Sequence, residues 1–530
     1  MTCGKVSKMK VLVADEISKS GVEMLKAQGY KVDVKLGLKE DDLVKVIRDY
    51  DVLIVRSATK ATRKVIQASG LKVIGRAGIG VDNIDLAAAT EKGILVMNAP
   101  SGNVVSTAEL TIGLLFALAR RIPQADASTK KGEWKRKELK GLQVAGKTLG
   151  IVGLGRVGAE VSKRAAALGM KVIAFDPLVS PEVGVRLHVR LVTLDRLLEE
   201  ADFVTVHTPL TPQTKDMLGR PELARMKKSA MIVNCARGGV VNEDALYDAL
   251  AEGRLAGAAL DVFTEEPPKG SKLLTLDNIV LTPHLGATTK EAQEDVGSEI
   301  AEQVIAYIKD NIIRNALNLP AKLDPEIIPY MPLAEKLGTF LCQVGKPGTG
   351  RVEVSCRGEL AQKDVKIIAA SVVTGLLKPI SDETTVNYIN ALAFAKARGI
   401  EIVSSTSEDA GPYKNLIRVT MHTDGVSASV AGSLMPDKGA RLVEIDGNMV
   451  DIVPEGDLLL ISHMDKPGMI GKVGTVLGDN DVNIASMEVA RRQTRGPAVM
   501  ILEIDDRISP EVVEKVKAIP DLRSATYVRL

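Results

Sequence analysis

The side chains best suited to acid–base chemistry stand just after hydrophobic runs. Only five histidines occur: His188, His207, His284, His422 and His463. His284 lies in NIVLTPHLGATT, past a strand-like run. Arg237 lies in IVNCARGG and the pair Glu265–Glu266 in LDVFTEEPP, each again just after a run. Open α/β sheets gather their chemistry outside the C-terminal ends of strands. An imidazole, a cation and a carboxylate collected there suit hydride transfer from a 2-hydroxy acid. The base takes the hydroxyl proton, the cation holds the carboxylate and polarises the oxygen, and an acid behind the histidine fixes its tautomer. Surface ion pairing is the plainer alternative for Arg237 and the glutamates.

A second signal supplies the hydride acceptor. TLGIVGLGRVGAEVSKRAAALGMKVIAFD holds Gly153, Gly155 and Gly158 as G-x-G-x-x-G between an apolar run and an Ala-rich helix. Asp176 ends the next apolar run, 18 residues past Gly158 and 23 past Gly153. That context is the dinucleotide fingerprint. Gly153 permits the turn, Gly155 lets the backbone approach a pyrophosphate, and Gly158 lets helix pack on strand. Asp176 is expected to take the ribose hydroxyls and repel a 2′-phosphate, favouring NAD over NADP. Arg156 is either a phosphate contact or a solvated helix-start residue, and Val157 is counted with it among the cofactor contacts.

These residues need a scaffold, and the rest of the chain describes one. Through residue 315, apolar runs alternate with helical patterns: KVLVAD, YKVDVKL, DVLIVR, LKVIGR and ILVMNA, then KTLGIVGL, MKVIAFD, DFVTVHTP, AMIVNCA, LAGAALDVF and NIVLTPH. Continuous apolar strands between helices mean parallel sheets covered on both faces. Two Rossmann-like α/β domains in tandem are expected, with Ser18 capping the first helix. A helix near 289–310 comes after the second sheet is complete, and its return to the first domain would make that domain discontinuous. The segment 318–332 carries four prolines and reads as a linker. Residues 333–455 read as mixed α and β. The last 74 residues read as βαββαβ, the ferredoxin-like order. Expected boundaries are 1–103 with 289–317, then 104–288, 318–455 and 456–530.

Composition excludes other classes. In 530 residues the net charge is +2 and aromatics make up 3%, so neither a bulk field nor stacking side chains exist to hold nucleic acid. No run approaches the ~18 apolar residues a membrane span needs. The N-terminal apolar run is too short for a signal peptide. Cys3, Cys235, Cys342 and Cys356 show no metal-ligand spacing and read as free thiols in a reducing compartment, the cytoplasm by default.

Six segments carry a family resemblance: GRAGIGVDNID (75–85), NAPSGNVVSTAEL (98–110), GKTLGIVGLGRVG (146–158), NCARGG (234–239), AALDVFTEEPP (258–268) and PHLGATTKEAQ (283–293). In them the chain resembles the D-isomer-specific 2-hydroxyacid dehydrogenases, in a long form extending over the whole chain. The resemblance implies that Arg237 orients substrate, that His284 is the acid/base, and that Glu266, rather than Glu265, is its partner. It implies nicotinamide-side contacts from Thr208, Cys235, Ala236 and Asp261, with Asp261 on the carboxamide. It implies oxidation of 3-phospho-D-glycerate to 3-phosphohydroxypyruvate with NAD and no metal. Arg56 and Arg76 end strands of the first domain; with Gly78, Ile79 and Asn103 they are the implied substrate contacts. Arg136 in GEWKRKEL is implied to be lent by a neighbouring subunit, though such a charge run is also what a solvated loop carries. Residues 318–455 resemble the intervening, allosteric-substrate-binding domain of long members. There Lys438 and Arg441 form an anion site or an exposed loop. The tail resembles an ACT domain, with His463, Asp465 and Asn483 at the positions that hold L-serine in relatives, in a homotetramer. His207 reads as structural. The competing readings are a glyoxylate/hydroxypyruvate or 2-oxoglutarate reductase, and a non-catalytic NAD-sensing protein of the corepressor type.

Overall fold

The computed structural model describes residues 9–345, 350–381, 386–423, 425–491 and 493–530; Cys3 and the N-terminal run lie outside them. The first sheet has strands β1 (Lys10–Val13), β2 (Lys31–Val34), β3 (Val52–Val55), β4 (Val73–Arg76) and β5 (Leu95–Asn98), all parallel, in the order β2-β1-β3-β4-β5. The second has β6 (Thr148–Val152), β7 (Lys171–Phe175), β8 (Arg190–Leu191), β9 (Phe203–Val206), β10 (Met231–Asn234), β11 (Gly257–Leu260) and β12 (Ile279–Leu281). It is parallel throughout, in the order β12-β11-β10-β9-β6-β7-β8. Strands such as VLIV, FVTV and MIVN are buried at every position, as expected of a sheet covered on both faces.

Strand order reverses between β1 and β3 in the first sheet, and between β6 and β9 in the second. Those reversals splay successive loops apart and open a crevice at the strand ends. Arg56 follows β3, the glycine loop follows β6, and Thr208 follows β9.

Helix Lys19–Ala27 begins at Ser18, whose Oγ accepts the Gly21 N–H at 3.2 Å. Helix Lys290–Asp310 packs on this first unit, with Val296, Ile300, Ala301 and Val304 joining Val11, Val13, Ile54 and Leu95 in one core. The two helices approach so closely that a Cβ on Gly21 would sit 2.5 Å from the Gly297 carbonyl oxygen. Helix Val104–Ala119 leads from the first sheet into the second and packs against β10–β12 and helix Arg156–Ala167.

The third sheet comprises β13 (Arg351–Gly358), β14 (Glu401–Ser407), β15 (Asn415–Thr423), β16 (Val426–Met435), β17 (Gly439–Ile445) and β18 (Asn448–Ile452), in the order β14-β13-β15-β16-β17-β18. Helices Tyr330–Val344 and Lys366–Leu377 pack together beside it. The fourth sheet is antiparallel: β19 (Asp457–Met464), β20 (Ile484–Arg491), β21 (Pro497–Ile504) and β22 (Leu522–Arg529), in the order β20-β21-β19-β22, with two helices, in the expected βαββαβ order.

The proline-rich segment 318–332 differs from a free linker. Ile327 is fully buried, helix Tyr330–Val344 starts inside the segment, and Asn318 bonds both the Val96 N–H and the Ile94 carbonyl at the edge of β5. Its prolines break regular structure without freeing the chain, because apolar residues between them still gain by burial. The third unit also touches the first: Asn387 Nδ2 donates to the Gly93 carbonyl at 2.8 Å, and Ile389 enters the first core. No helix among the described residues is long and apolar enough to cross a membrane.

Gly21→Ala tests the helix crossing. Overpacking typically costs about 1–3 kcal/mol, so the denaturant midpoint should fall. An unchanged midpoint would mean that the two helices do not approach so closely.

Candidate active site

A cleft of about 450 Å³ lies between the two parallel sheets. Arg56, Arg76, Ile79, Asn103, Arg156, Val157, Thr208, Cys235, Ala236, Arg237 and His284 all line it. The strand-end loops of both sheets thus supply one site.

His284 Nδ1 lies 2.7 Å from Glu266 Oε2. Glu266 Oε1 accepts the Phe263 N–H at 3.1 Å, so the carboxylate is itself anchored. Burial acts to raise its carboxyl. The bonds to His284 and Phe263 and the charges of His284 and Arg237 outweigh that and hold it below the usual carboxylate range. Glu265 instead lines a separate groove with Glu243 and Lys269. With Nδ1 engaged by Glu266, Nε2 is the imidazole nitrogen left for a substrate proton.

Three guanidiniums crowd the other wall. Arg76 is pushed down to about 10 by burial and by the neighbouring charges of Arg237 and Arg56. Its Nε is buried without a partner. Arg237 Nε bonds Asp82 Oδ2 at 3.1 Å, and Nη1 donates to the Ala236 carbonyl. The Arg56 backbone N–H is held at 2.6 Å by Asp15 Oδ2. Glycines make room for this array: a Cβ on Gly78 would lie 1.6 Å from Arg76 Nη1, and one on Gly80 1.8 Å from Arg237 Nη2. Gly78 also has φ +144°, which a side chain rarely adopts. Asn103 precedes helix Val104–Ala119 but does not cap it with its side chain, and its Oδ1 is buried without a partner.

On the dinucleotide side, Gly153 has φ +94°, and its missing Cβ admits the His207 carbonyl. A Cβ on Gly158 would meet the Gly153 carbonyl oxygen at 2.2 Å, whereas Gly155 faces open space before helix Arg156–Ala167. Thr208 Oγ1 is buried without a partner. Open glycine backbone at a helix N-terminus and an unpaired hydroxyl fit a bound pyrophosphate dinucleotide. Burial pushes the Cys235 thiol up to about 12 and the His207 imidazole down to about 3, so both are neutral walls. His207 Nε2 meets Thr205 Oγ1 at 3.0 Å.

Several residues expected in the sites have partners within the chain. Asp176 accepts the Leu154 and Leu178 N–H groups at 2.8 and 2.9 Å, bracing the glycine loop, with acceptor capacity left on each oxygen. Asp261, expected on a carboxamide, has no accessible surface; its oxygens take the Thr282 hydroxyl and the Leu285 and Gly286 N–H groups. A strand-end aspartate looks alike in sequence whether it faces the cleft or the loop behind it. Arg136 is exposed beside Trp134 and is not brought into its own chain's cleft. In the fourth unit His463 is 1% exposed with Nε2 unpartnered, Asp465 pairs with Arg491, and Asn483 is bonded to Asp505 rather than to either. Lys438 pairs with Asp451. Sequence reasoning missed Asp82, Ser57 and Thr107; only their places in strand-end loops or at a helix start marked them.

A two-lobed cleft with a glycine-rich dinucleotide loop on one wall and an imidazole–carboxylate pair beside it defines a nicotinamide-dependent oxidoreductase. The D-isomer specific 2-hydroxyacid dehydrogenase, NAD binding domain, matches residues 112–286; the D-3-phosphoglycerate dehydrogenase intervening domain matches 326–446 and the ACT domain 458–521. The chain belongs to the D-isomer-specific 2-hydroxyacid dehydrogenase family, in the long form that adds these two modules, and NAD is its cofactor. It is 48% identical to D-3-phosphoglycerate dehydrogenase of Methanocaldococcus jannaschii, covering 98% of this chain and 100% of that one. It is 42% identical to the enzyme of that name from Bacillus subtilis, over 98% and 99%. Among solved structures it resembles the TT0316 protein of Thermus thermophilus, at 38% identity and TM-score 0.54 over 58% of this chain and all of that one.

Gly80→Ala separates the substrate wall from the cofactor wall. The new methyl meets only the end of a flexible side chain, so the fold tolerates it and Arg237 gives way. With misplacement of about 1 Å worth up to ~10²-fold, kcat/KM for the hydroxy acid should fall steeply while NADH binding, read by fluorescence, persists. Equal loss of both would place Arg237 outside the substrate wall.

Proposed function

We propose that this chain oxidises 3-phospho-D-glycerate to 3-phosphohydroxypyruvate with NAD, the step that opens L-serine synthesis. The observation that carries this reading is three guanidiniums on one wall of the cleft, with a carboxylate-paired imidazole beside them. A simple 2-hydroxy acid needs one cation for its carboxylate. A second, doubly anionic group accounts for the other two.

Arg237 holds the substrate carboxylate and polarises the C2 oxygen. Arg56, Arg76, Asn103 and the backbone at Gly78 and Ile79 hold the phosphate end. His284 Nε2 receives the C2 hydroxyl proton, and Glu266 accepts the Nδ1–H and steadies the resulting cation. Bound NAD would supply the hydride acceptor for C2. Gly153, Gly155, Gly158, Arg156, Val157, Thr208, Cys235 and Ala236 would seat it, and Asp176 would meet the ribose.

In this reading 1–103 with 289–317 seats substrate, 104–288 seats NAD, 318–455 is the intervening unit and 456–530 the regulatory unit. L-Serine would act at His463 and Asp465 between paired ACT units of a homotetramer, its ammonium replacing the Arg491 guanidinium; Asn483 would have to exchange Asp505 for the ligand. Arg136, exposed beside Trp134, would be lent to a neighbour's cleft. The buried free thiols of Cys235, Cys342 and Cys356 suit the cytoplasm.

NADH formation with a panel of 2-hydroxy acids tests the reading. The 3-phosphorylated acid should give the highest kcat/KM, and His284→Ala should cut kcat by about 10²–10⁴-fold. Preference for an unphosphorylated acid would favour a glyoxylate- or 2-oxoglutarate-type reductase, and no turnover would favour a sensor.

The pH dependence follows from Glu266. Its lowered carboxyl means that the pair's contribution is full above the ordinary glutamate value of about 4.3 and is lost as pH falls through the lower folded value. No limb above that range reports Glu266 itself. Glu266→Gln removes the anion that favours imidazolium, so the acid limb of kcat/KM should move to lower pH. An unmoved limb would assign the partner role to another group.

A further inference from the structure

His284 is held in a left-handed conformation, φ +55°, although it carries a side chain. Such a residue persists only where its surroundings over-determine it. The hydrogen bonds around it show what does so. The Asp261 carbonyl accepts the His284 N–H at 2.9 Å. The Asp261 carboxylate accepts the next two N–H groups, Leu285 at 2.7 Å and Gly286 at 2.9 Å. That accounts for the N–H groups of residues 284–286. The Gly286 carbonyl points the other way, into a buried contact with two hydroxyls: Ser106 Oγ at 2.9 Å and Thr107 Oγ1 at 3.0 Å.

We infer that Ser106 and Thr107 are positioning residues for the reaction, which clamp the Gly286 carbonyl and so hold His284 in its working conformation. This rests on the acid/base reading of His284. Both residues sit in the first turn of helix Val104–Ala119, a place where serine and threonine usually serve the helix itself. Ser106 has its acceptor on the His284 loop instead, and Thr107 divides its one proton between that acceptor and the Asn103 carbonyl at 2.9 Å. Each residue is only 8% exposed, so a carbonyl deprived of both donors loses two buried hydrogen bonds.

The spacing adds a consequence. Asn103, Ser106 and Thr107 stand at i, i+3 and i+4, which is one face of a helix. Asn103 and Thr107 both line the cleft, and Asn103 keeps an unpartnered oxygen. One helical turn therefore meets the substrate wall at its start and the imidazole loop four residues on. Gly286 supports the same contact, since a Cβ there would lie 3.3 Å from Thr107 Oγ1 and 3.4 Å from Asp261 Oδ2.

The test uses the full chain with Ser106→Ala, Thr107→Val and the double variant, beside Ser106→Thr and Thr107→Ser, which keep the oxygens. Steady-state rates with 3-phospho-D-glycerate and NAD are read together with amide hydrogen exchange of the 282–289 segment without ligands. The clamp predicts that the double variant loses about 10–100-fold in kcat with both KM values within about threefold, since orientation rather than binding is lost. Exchange at Leu285 and Gly286 should rise about tenfold over a core of unchanged protection. The oxygen-keeping variants should stay near wild type. If the double variant does not fold, each single hydroxyl deletion must show the same split in smaller measure. Unchanged kcat and exchange overturn the proposal, as does an equal loss in the oxygen-keeping variants. If the wild-type chain turns over no 2-hydroxy acid, the functional reading fails, and the exchange data still decide whether the clamp exists.

Discussion

Three guanidinium groups share one wall of the cleft, and much of the first lobe serves to make that tolerable. Burial, and after it the charges of Arg237 and Arg56, already push Arg76 down to about 10, a large shift for a side chain normally charged at any pH. Asp82 offsets part of the charge at Arg237, and Gly78 and Gly80 remove the methyl groups that would drive the arginines apart. The unpartnered Nε of Arg76 and Oδ1 of Asn103 are the polar capacity left over. An anionic ligand would relieve the repulsion and satisfy those two groups.

The parallel sheets make such an arrangement possible. Their central strands are buried on both faces, so loops leaving their C-terminal ends start from fixed points. Strand order reverses next to Arg56 in the first sheet and next to Gly153 and Thr208 in the second. Helix Lys290–Asp310 begins shortly after His284 and closes back on the first sheet, while helix Val104–Ala119 crosses the other way. The two crossings tie the imidazole loop to both lobes.

Much of this was legible in the sequence. Unbroken apolar runs between helices announce parallel sheets, and the βαββαβ tail is read from its pattern alone. The G-x-G-x-x-G spacing has one steric meaning, and the family motif put Glu266 rather than Glu265 beside His284, where the two are 2.7 Å apart. What escaped depends on direction rather than on residue type. Asp261 ends a strand, as a ligand-facing aspartate would, but its carboxylate turns back onto the 282–286 loop. Ser106 and Thr107 look like ordinary first-turn residues, and only the position of the Gly286 carbonyl reveals their target. The 318–332 segment has a linker's prolines, yet Ile327 lies in a core. In the ACT unit, Asp465 and Asn483 already have partners within the chain, which spacing alone does not disclose.

The central claim is that one cleft holds a phosphate and a carboxylate at opposite ends, so that the C2 hydroxyl meets His284. A crystal structure of the chain with NADH and 3-phospho-D-glycerate tests it directly. The account predicts the C2 oxygen about 2.6–3.2 Å from His284 Nε2, the carboxylate on Arg237 and the phosphate on Arg56 and Arg76. A phosphate seated on Arg237, or a C2 oxygen turned away from the imidazole, would contradict it.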